Sequence, residues 1–384
     1  MRLRHALSSA GFARAIESGG RYRKGGGAPL RAMTGSPYLK TTYPSDAALL
    51  GTPVRRFWLA VFGLAALGFP LVGTPVLMDL LCRTAVAVVG AHALNLVTGY
   101  AGQVSLGHAG LMAAGAFTAG ILSEELGAPF WLALPAAVLV GALLGVVVGI
   151  PSLRLRGLYL ALSTLALHFV ILYLASEYQS GRGFATGLLV PRPKVGPWTL
   201  AGATAWYYAL GGVATLTTLF CLNLARTRPG RAWMAIRDRD VAAASMGVNV
   251  AAWKVLAFVV SSALTAFGGG LWAYYLGFVS VEAFSFFLTV EYIAMVVIGG
   301  LGSVLGAILG ATFVTVLPYA VDAIVNLVPV PDRVHTHLFA VKFAAFGLLM
   351  AVFLILEPRG LVSVWSRVRT YFDLWPFRYH PLKG

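Results

Sequence analysis

The chain has 384 residues, enough for two soluble domains, but 58% hydrophobic and only 11% charged residues exclude that arrangement, since soluble domains carry about 25% charge. A formal net charge of +15 invites a nucleic-acid partner, yet the basic residues cluster where membrane topology alone accounts for them. Cys82 and Cys221 both lie inside apolar segments, so they read as packing residues rather than a disulfide or metal framework.

Residues 1–55 form a basic arm with the run Gly25–Gly27 and scattered prolines, which reads as a disordered cytoplasmic tail. It lacks the apolar core of a secretory signal. Translation from Met33 would leave residues 1–32 unmade. Apolar spans then follow at about 57–73, 76–97, 106–123, 130–150, 157–176, 204–225, 253–275, 286–301, 304–320 and 338–356. Several approach the ~20 residues that cross a bilayer core. Those at 57–73, 106–123, 286–301 and 304–320 are short, as broken helices around a translocation path are.

The expected fold is therefore all-α, a polytopic membrane protein of about ten transmembrane helices over 56–357. A basic, aromatic cytoplasmic tail follows at 358–384. With both termini in the cytoplasm, 23 of the 29 basic residues fall in cytoplasmic segments, as the positive-inside rule requires. Arg182, Arg192, Lys194 and Arg333 fall outside, while Arg83 and Lys342 lie within spans. The longest external connection, about 177–203, is too rich in glycine and proline for a long regular helix; it is either a partner surface or a long turn.

Polar residues in hydrocarbon need partners and are functional candidates by default. His92, Asn95, Gln103, Ser105, His108 and Glu291 are the candidates for lining a path. Gly99, Gly102 and Gly107 in LNLVTGYAGQVSLGHAG, with Gly299, Gly300 and Gly302 later, are the expected helix breaks. Gly99, Gly102 and Gly110 match Gly299, Gly302 and Gly310 at one offset, but in so glycine-rich a chain that defines no repeat. Asp79 and Arg83, four residues apart on one helical face, should neutralise each other. His168 reads as a packed core histidine.

Segment 226–252, RTRPGRAWMAIRDRDVAAASMGVNVAA, is not a span. Pro229 and Gly230 predict a turn, and Trp233, Ile236, Val241 and Ala244 give the following helix an apolar face. Gly247 is its expected stop. Arg237, Asp238, Arg239 and Asp240 mix both signs, which suits docking to a protein better than resting on lipid headgroups.

At this point the chain resembles a known family. GRAWMAIRDRDVAAASMGVNVAAWKVLAFVVSSALTAFGGGLWA is similar to the coupling region of bacterial ABC-importer permeases of the branched-chain amino acid type. LNLVTGYAGQVSLGHAG resembles that family's amino-proximal signature. TVEYIAMVVIGGLGSVLGAILGA (289–311) resembles its late glycine-rich signature, and EPRGL (357–361) its carboxy-terminal end. The likeness covers about 57–361 and is closer to the LivM-like than to the LivH-like subunit.

The resemblance implies a permease subunit of the bacterial cytoplasmic (inner) membrane, importing amino acids or related small polar solutes such as urea or amides. Its implied partners are a second, LivH-like permease, two cytoplasmic ABC ATPases, an extracytoplasmic substrate-binding protein and membrane lipid, with no nucleic acid. Arg231, Ile236, Arg237, Asp238, Asp240, Ala243, Met246 and Gly247 would be the ATPase-coupling positions; Ala243 or a neighbour stands where importer permeases commonly show Glu. The chain itself would be no enzyme: ATP and Mg would be bound by the partner ATPases, and no catalytic or metal-ligating residue is assigned. In keeping with this, the sequence holds no G-x-x-x-x-G-K-[ST] phosphate loop. The competing reading is an ion-coupled secondary transporter, which would need a relay of buried carboxylates; within the spans only Glu291 and Asp79 are offered for it.

Overall fold

A computed structural model of the protein describes residues 53–71, 73–182, 187–195, 198–200, 202–327 and 360–374, with single positions between 344 and 355. The expected arm at 1–55, the tenth span at 338–356 and Lys342 therefore lie outside the described residues or almost wholly so. Helix α1, Pro53–Gly68, belongs to a first unit and carries exposed Phe57, Trp58, Phe62 and Leu64.

The second unit is a bundle of α2 (Pro75–Leu94), α3 (His108–Glu124), α4 (Phe130–Gly149), α5 (Leu158–Gly181), α6 (Ala203–Arg226), α7 (Arg228–Ser245), α8 (Val250–Leu276), α9 (Phe286–Gly299), α10 (Val304–Leu327) and α11 (Leu361–Leu374). Among the described residues, seven helices are long and apolar enough to cross a membrane, which makes the chain a polytopic all-α membrane protein. They coincide with seven of the ten expected spans. The expected span at 57–73 falls on the 16-residue α1 and that at 106–123 on the 17-residue α3.

Helix α2 begins with Pro75 behind a Thr74 cap, whose hydroxyl accepts the Leu77 N–H at 3.4 Å. From Thr84 to Leu94 every residue is buried, because α6, α8, α9 and α10 all pack on it. At its far end the helix widens into a π-helical turn, Asn95–Tyr100. There the Ala101 N–H reaches back to the Leu96 carbonyl at 3.1 Å and the Gln103 N–H to that of Val97 at 2.9 Å.

In lipid, helices gain little from burying apolar side chains, so close backbone approach has to supply the packing energy. The α8 contacts show how far this goes. On α4, Gly141, Gly145 and Gly149 recur every fourth residue and face Ser262, Phe258–Val259 and Val255 of α8; a Cβ on Gly145 would sit 2.7 Å from the Val259 Cα. On the other side, Gly115 of α3 rests on the Ala266 carbonyl of α8, while Gly269 of α8 rests on the Met112 carbonyl of α3. Each helix thus supplies the glycine that the other's backbone needs. The same device closes α9 on α10, where Gly299 meets the Gly306 carbonyl and Gly310 meets that of Met295.

Opposite the π turn, the connection after α5 is short strand rather than free loop. Strand β1 (Leu188–Leu189) pairs antiparallel with β4 (Phe278–Val279), and β2 (Lys194–Val195) pairs with β3 (Trp198–Thr199). Leu188 and Val190 are buried there. At the same end Glu125 accepts hydrogen bonds from the Tyr178 hydroxyl and, at 3.1 Å, from Arg182 Nη2. The predicted Asp79–Arg83 pair forms, with Arg83 Nε 2.7 Å from Asp79 Oδ2. The Tyr275 hydroxyl also donates to Asp79, and Arg83 stacks over Trp272 at 5.5 Å. Cys82 and Cys221 are buried and free, and His168 is fully buried beside Phe169 and Phe286.

Candidate functional site

The segment between α6 and α8 is helical as expected, but it begins differently. Helix α6 ends at Arg226 and α7 starts at Arg228, so Thr227 alone makes the corner and Pro229 sits in the first turn of α7. Proline is suited to that position, where its missing N–H is not needed. Gly230 is there for proximity rather than as a turn: a Cβ on it would lie 2.5 Å from the carbonyls of Leu224 and Ala225. The predicted stop is found, with Gly247 at φ +85°, its N–H bonded to the Ala244 carbonyl at 3.0 Å and that of Val248 to Ala243 at 3.1 Å.

A break at Arg239, which takes up an extended backbone, divides α7 into two runs. The single amphipathic face read from the sequence is correspondingly split. Trp233 and Ile236 of the first run are buried, and the Trp233 indole donates to the Trp253 carbonyl at 2.8 Å. In the second run Ala243 is buried, while Val241 is 74% and Met246 86% exposed. The eight coupling positions therefore divide. Ile236 and Ala243 pack inward, Arg237 and Asp240 are tied to the bundle, and Arg231, Asp238, Met246 and Gly247 are exposed. Arg239, read from the sequence among the docking charges, and Val241, read as part of the apolar face, share that exposed surface.

Asp240 fastens the second run. Its Oδ2 lies 3.0 Å from Arg156 Nη2 and 3.4 Å from Lys254 Nζ. Burial works to raise its carboxyl, but Lys254 and Arg156 outweigh it, so the group titrates below its ordinary 3.8. A folded-state pKa below the unfolded one means that the clamp contributes above the ordinary carboxylate range and is lost as pH falls through the lowered value. Arg156 is 73% exposed while Asp240 is 25% and Lys254 11%, so the clamp is partly solvated and Asp240→Asn should cost about 1 kcal/mol at pH 7. The difference in thermal midpoint between the two proteins should vanish once the solution is acid enough to protonate Asp240.

Beside these residues two glycine turns meet. The Asn95 side chain, 1% exposed, accepts the Gly302 N–H at 2.9 Å and donates to the Ser303 carbonyl at 2.9 Å. Gly99 lies against Gly302, such that a Cβ would be 2.5 Å from the Gly302 nitrogen. Gly102 and Gly302 both have left-handed backbones, at φ +68° and +74°. Gly300, at φ +118°, ends α9 and is met by Gly360, whose Cβ would be 2.7 Å from its nitrogen. Arg237 completes the junction, with Nη1 donating to the Gly99 carbonyl at 2.7 Å. The four motifs read separately from the sequence thus converge on one place at the π-turn end of the bundle. Between α7, the 101–103 turn and Ser152–Gly157 lies a groove of about 240 Å³, lined by Gln103, Arg156, Arg237, Asp240 and Lys254 among others.

Five of the six path candidates are buried inside the chain. His92 Nε2 is 3.0 Å from the Thr218 hydroxyl. His108 packs on Tyr292, with ring centroids 4.5 Å apart, and its Nδ1 is 3.3 Å from Thr265 Oγ1. Gln103 reaches Ser152 Oγ at 3.4 Å, and the Ser105 hydroxyl accepts the Gly107 N–H at 3.5 Å. Asn95 holds the turns as described. Glu291 is part-buried. The turn after Tyr100 draws on two threonines that the sequence did not mark: Thr164 accepts the Leu106 N–H at 2.8 Å and Thr289 the Ala109 N–H at 3.0 Å. Gly107 leads into α3 and fits against the Thr164 carbonyl, 2.7 Å from where its Cβ would be. Among the described residues, no group of three or more His, Cys, Asp or Glu side chains could hold a metal ion.

Residues 76–356 match the family model described as branched-chain amino acid transport system / permease component. The chain is 31% identical over 342 residues to the high-affinity branched-chain amino acid transport system permease protein LivM of Salmonella typhimurium, covering 83% of this chain and 77% of that one. LivM of Escherichia coli K12 gives the same identity and coverage. The autoinducer 2 import system permease protein LsrC of Salmonella typhimurium is 28% identical over 210 residues, 52% of this chain and 57% of its own. No solved structure matches.

Proposed function

Because the chain belongs to the permease-component family of branched-chain amino acid transport systems, we propose that it is the LivM-like membrane subunit of an ATP-driven importer of branched-chain amino acids or chemically similar small solutes. A second permease, two ABC ATPases and an external binding protein complete the assembly, and the π-turn end of the bundle faces the cytoplasm. ATP-driven closure of the ATPases moves α7, which rocks the bundle between outward and inward access. Selection of the solute falls mainly to the binding protein.

The observation that carries this reading is α7 itself. It is a helix outside the spans, buried on one side by Trp233 and Ile236, and it presents Arg231, Asp238, Val241 and Met246 on the other. Both charge signs and two large apolar side chains on one exposed helix suit a protein partner. The chain also lacks a phosphate loop of its own. The branched-chain class of solute is favoured because the LivM relatives align over most of their length, whereas LsrC, named for autoinducer 2, aligns over about half. An ion-coupled carrier is disfavoured because Asp79, one of the two carboxylates open to it, is committed to Arg83 and Tyr275.

The decisive experiment is reconstitution. Co-purified with the ATPases, second permease and binding protein encoded beside it, the chain should import radiolabelled leucine into proteoliposomes only when ATP is supplied on the ATPase side. Import by the chain alone, driven by an ion gradient, would overturn the proposal.

A further inference from the structure

Two turns distant in sequence share one side chain. The π-helical widening at Asn95–Tyr100 displaces the backbone bonding pattern, so that Ala101 and Gln103 donate to Leu96 and Val97. The Gly99 carbonyl receives Arg237 instead, at 2.7 Å. The rest of the Arg237 side chain lies in a slot that only glycines leave open. A Cβ at Gly102 would meet its Cγ at 2.8 Å, and a Cβ at Gly302 would meet its Nη1 at 2.6 Å. Asn95 then bonds the second turn to the first through the Gly302 nitrogen and the Ser303 oxygen. One guanidinium therefore touches the end of α2 and the α9–α10 connection together. Asp238, the next residue, is 73% exposed against 39% for Arg237 and pairs with it at 3.5 Å.

We infer that Arg237 is the positioning residue that transmits movement of α7 to both glycine turns at once. The inference rests on the proposed reading of α7 as the helix moved by an ATPase. Its physical basis is the contrast between the two fastenings of α7. Trp233 and Asp240 hold α7 to α8, and Asp240 also holds it to Arg156 after α4. Trp233 also shares a buried apolar cluster with Leu96, Tyr100, Ala101 and Val304, but among the described residues the hydrogen bond from α7 to the turn ending α2 comes from Arg237, whose guanidinium lies against Gly302 as well. A π turn holds a residue more than the α-helical repeat, and such turns are frequent at functional sites. Drawing on the Gly99 carbonyl pulls on that turn directly.

The test uses the full reconstituted complex and reads solute imported per ATP hydrolysed. Arg237→Gln should keep the ATPases bound and hydrolysing while that ratio falls about tenfold, the factor that corresponds to losing one charge-assisted hydrogen bond. Arg237→Lys, whose ammonium can donate to the same carbonyl, should recover part of the ratio. A wild-type ratio in Arg237→Gln overturns the inference; so does a folded Arg237→Gln chain that loses the ATPases, since that marks a docking contact.

Should Arg237→Gln fail to fold, amide exchange in the wild-type complex decides. Gly102–Gln103 and Gly302–Ser303 should change protection together when a non-hydrolysable ATP analogue is added, and a change in one turn alone, or in neither, overturns the inference. A complex that imports leucine with ATP but fails these tests removes the role of Arg237 only. A chain that needs no ATPase removes the proposed function itself.

Discussion

Gly269→Leu is expected to leave no folded protein. Gly269 lies on the Met112 carbonyl across the α3–α8 crossing, and Gly115 lies reciprocally on the carbonyl of Ala266. Overpacking an ordinary core costs about 1–3 kcal/mol because side chains can rotate away. A backbone carbonyl inside a helix cannot rotate without giving up its own hydrogen bond. The helices would have to separate along their whole contact, exposing the buried faces of Met112, Ala116 and Ala266 as well. Against a typical total stability of about 5–15 kcal/mol, that is decisive. The check is size-exclusion chromatography of the detergent-solubilised variant, which should give aggregate where the wild type gives a single peak. Gly145→Leu on the α4 side should behave alike. A monodisperse Gly269→Leu protein with an unchanged thermal midpoint would show that the crossing is looser than described.

Asn95→Leu should be the most damaging change among the polar residues, costing about 1–3 kcal/mol and abolishing uptake. Leucine keeps the branched outline but strands the Gly302 N–H, while the Ser303 carbonyl keeps the Ala307 N–H at 3.1 Å; an unmet buried group costs about 1–3 kcal/mol. Asn95→Asp is the informative partner. Its carboxylate still accepts the Gly302 N–H but can no longer donate to Ser303, and it turns a negative oxygen on that carbonyl. It should therefore also lose stability, by less than leucine does. Thermal unfolding of the solubilised proteins orders the three. If Asn95→Leu melts with the wild type, the two turns are held by glycine packing alone.

Much of the bundle was legible because hydropathy and charge act along the chain. The apolar runs correspond to α2, α4, α5, α6, α8, α9 and α10, and the change from uncharged to doubly signed sequence marks α7 as something other than a span. What could not be read is whatever depends on a neighbour far off in sequence. Asn95 looked like a path residue because a polar side chain in hydrocarbon needs a partner, and the partner turned out to be backbone some two hundred residues later. Ile236 and Ala243 could be placed on a helix face but not on its inner side, because the break at Arg239 alters the phase between them. The spacing of Gly141, Gly145 and Gly149 was available as a signal of close packing against another helix. It was hidden by the abundance of glycine around it. The offset between Gly99 and Gly299 defined no repeat, and the geometry brings Gly99 against Gly302 as a contact.

The crossings of α8 with α3 and α4 make the stiffness of the molecule uneven. Where carbonyl meets Cα, there is no side-chain layer to compress, and neither helix can turn about its own axis without driving a side chain into its neighbour's backbone. Those three helices are consequently a single inelastic block. Whatever compliance the bundle has belongs to seams filled by longer side chains, such as the one between α2 and α6, where His92 meets Thr218. Heating or hydrostatic pressure should loosen that seam well before it disturbs the block.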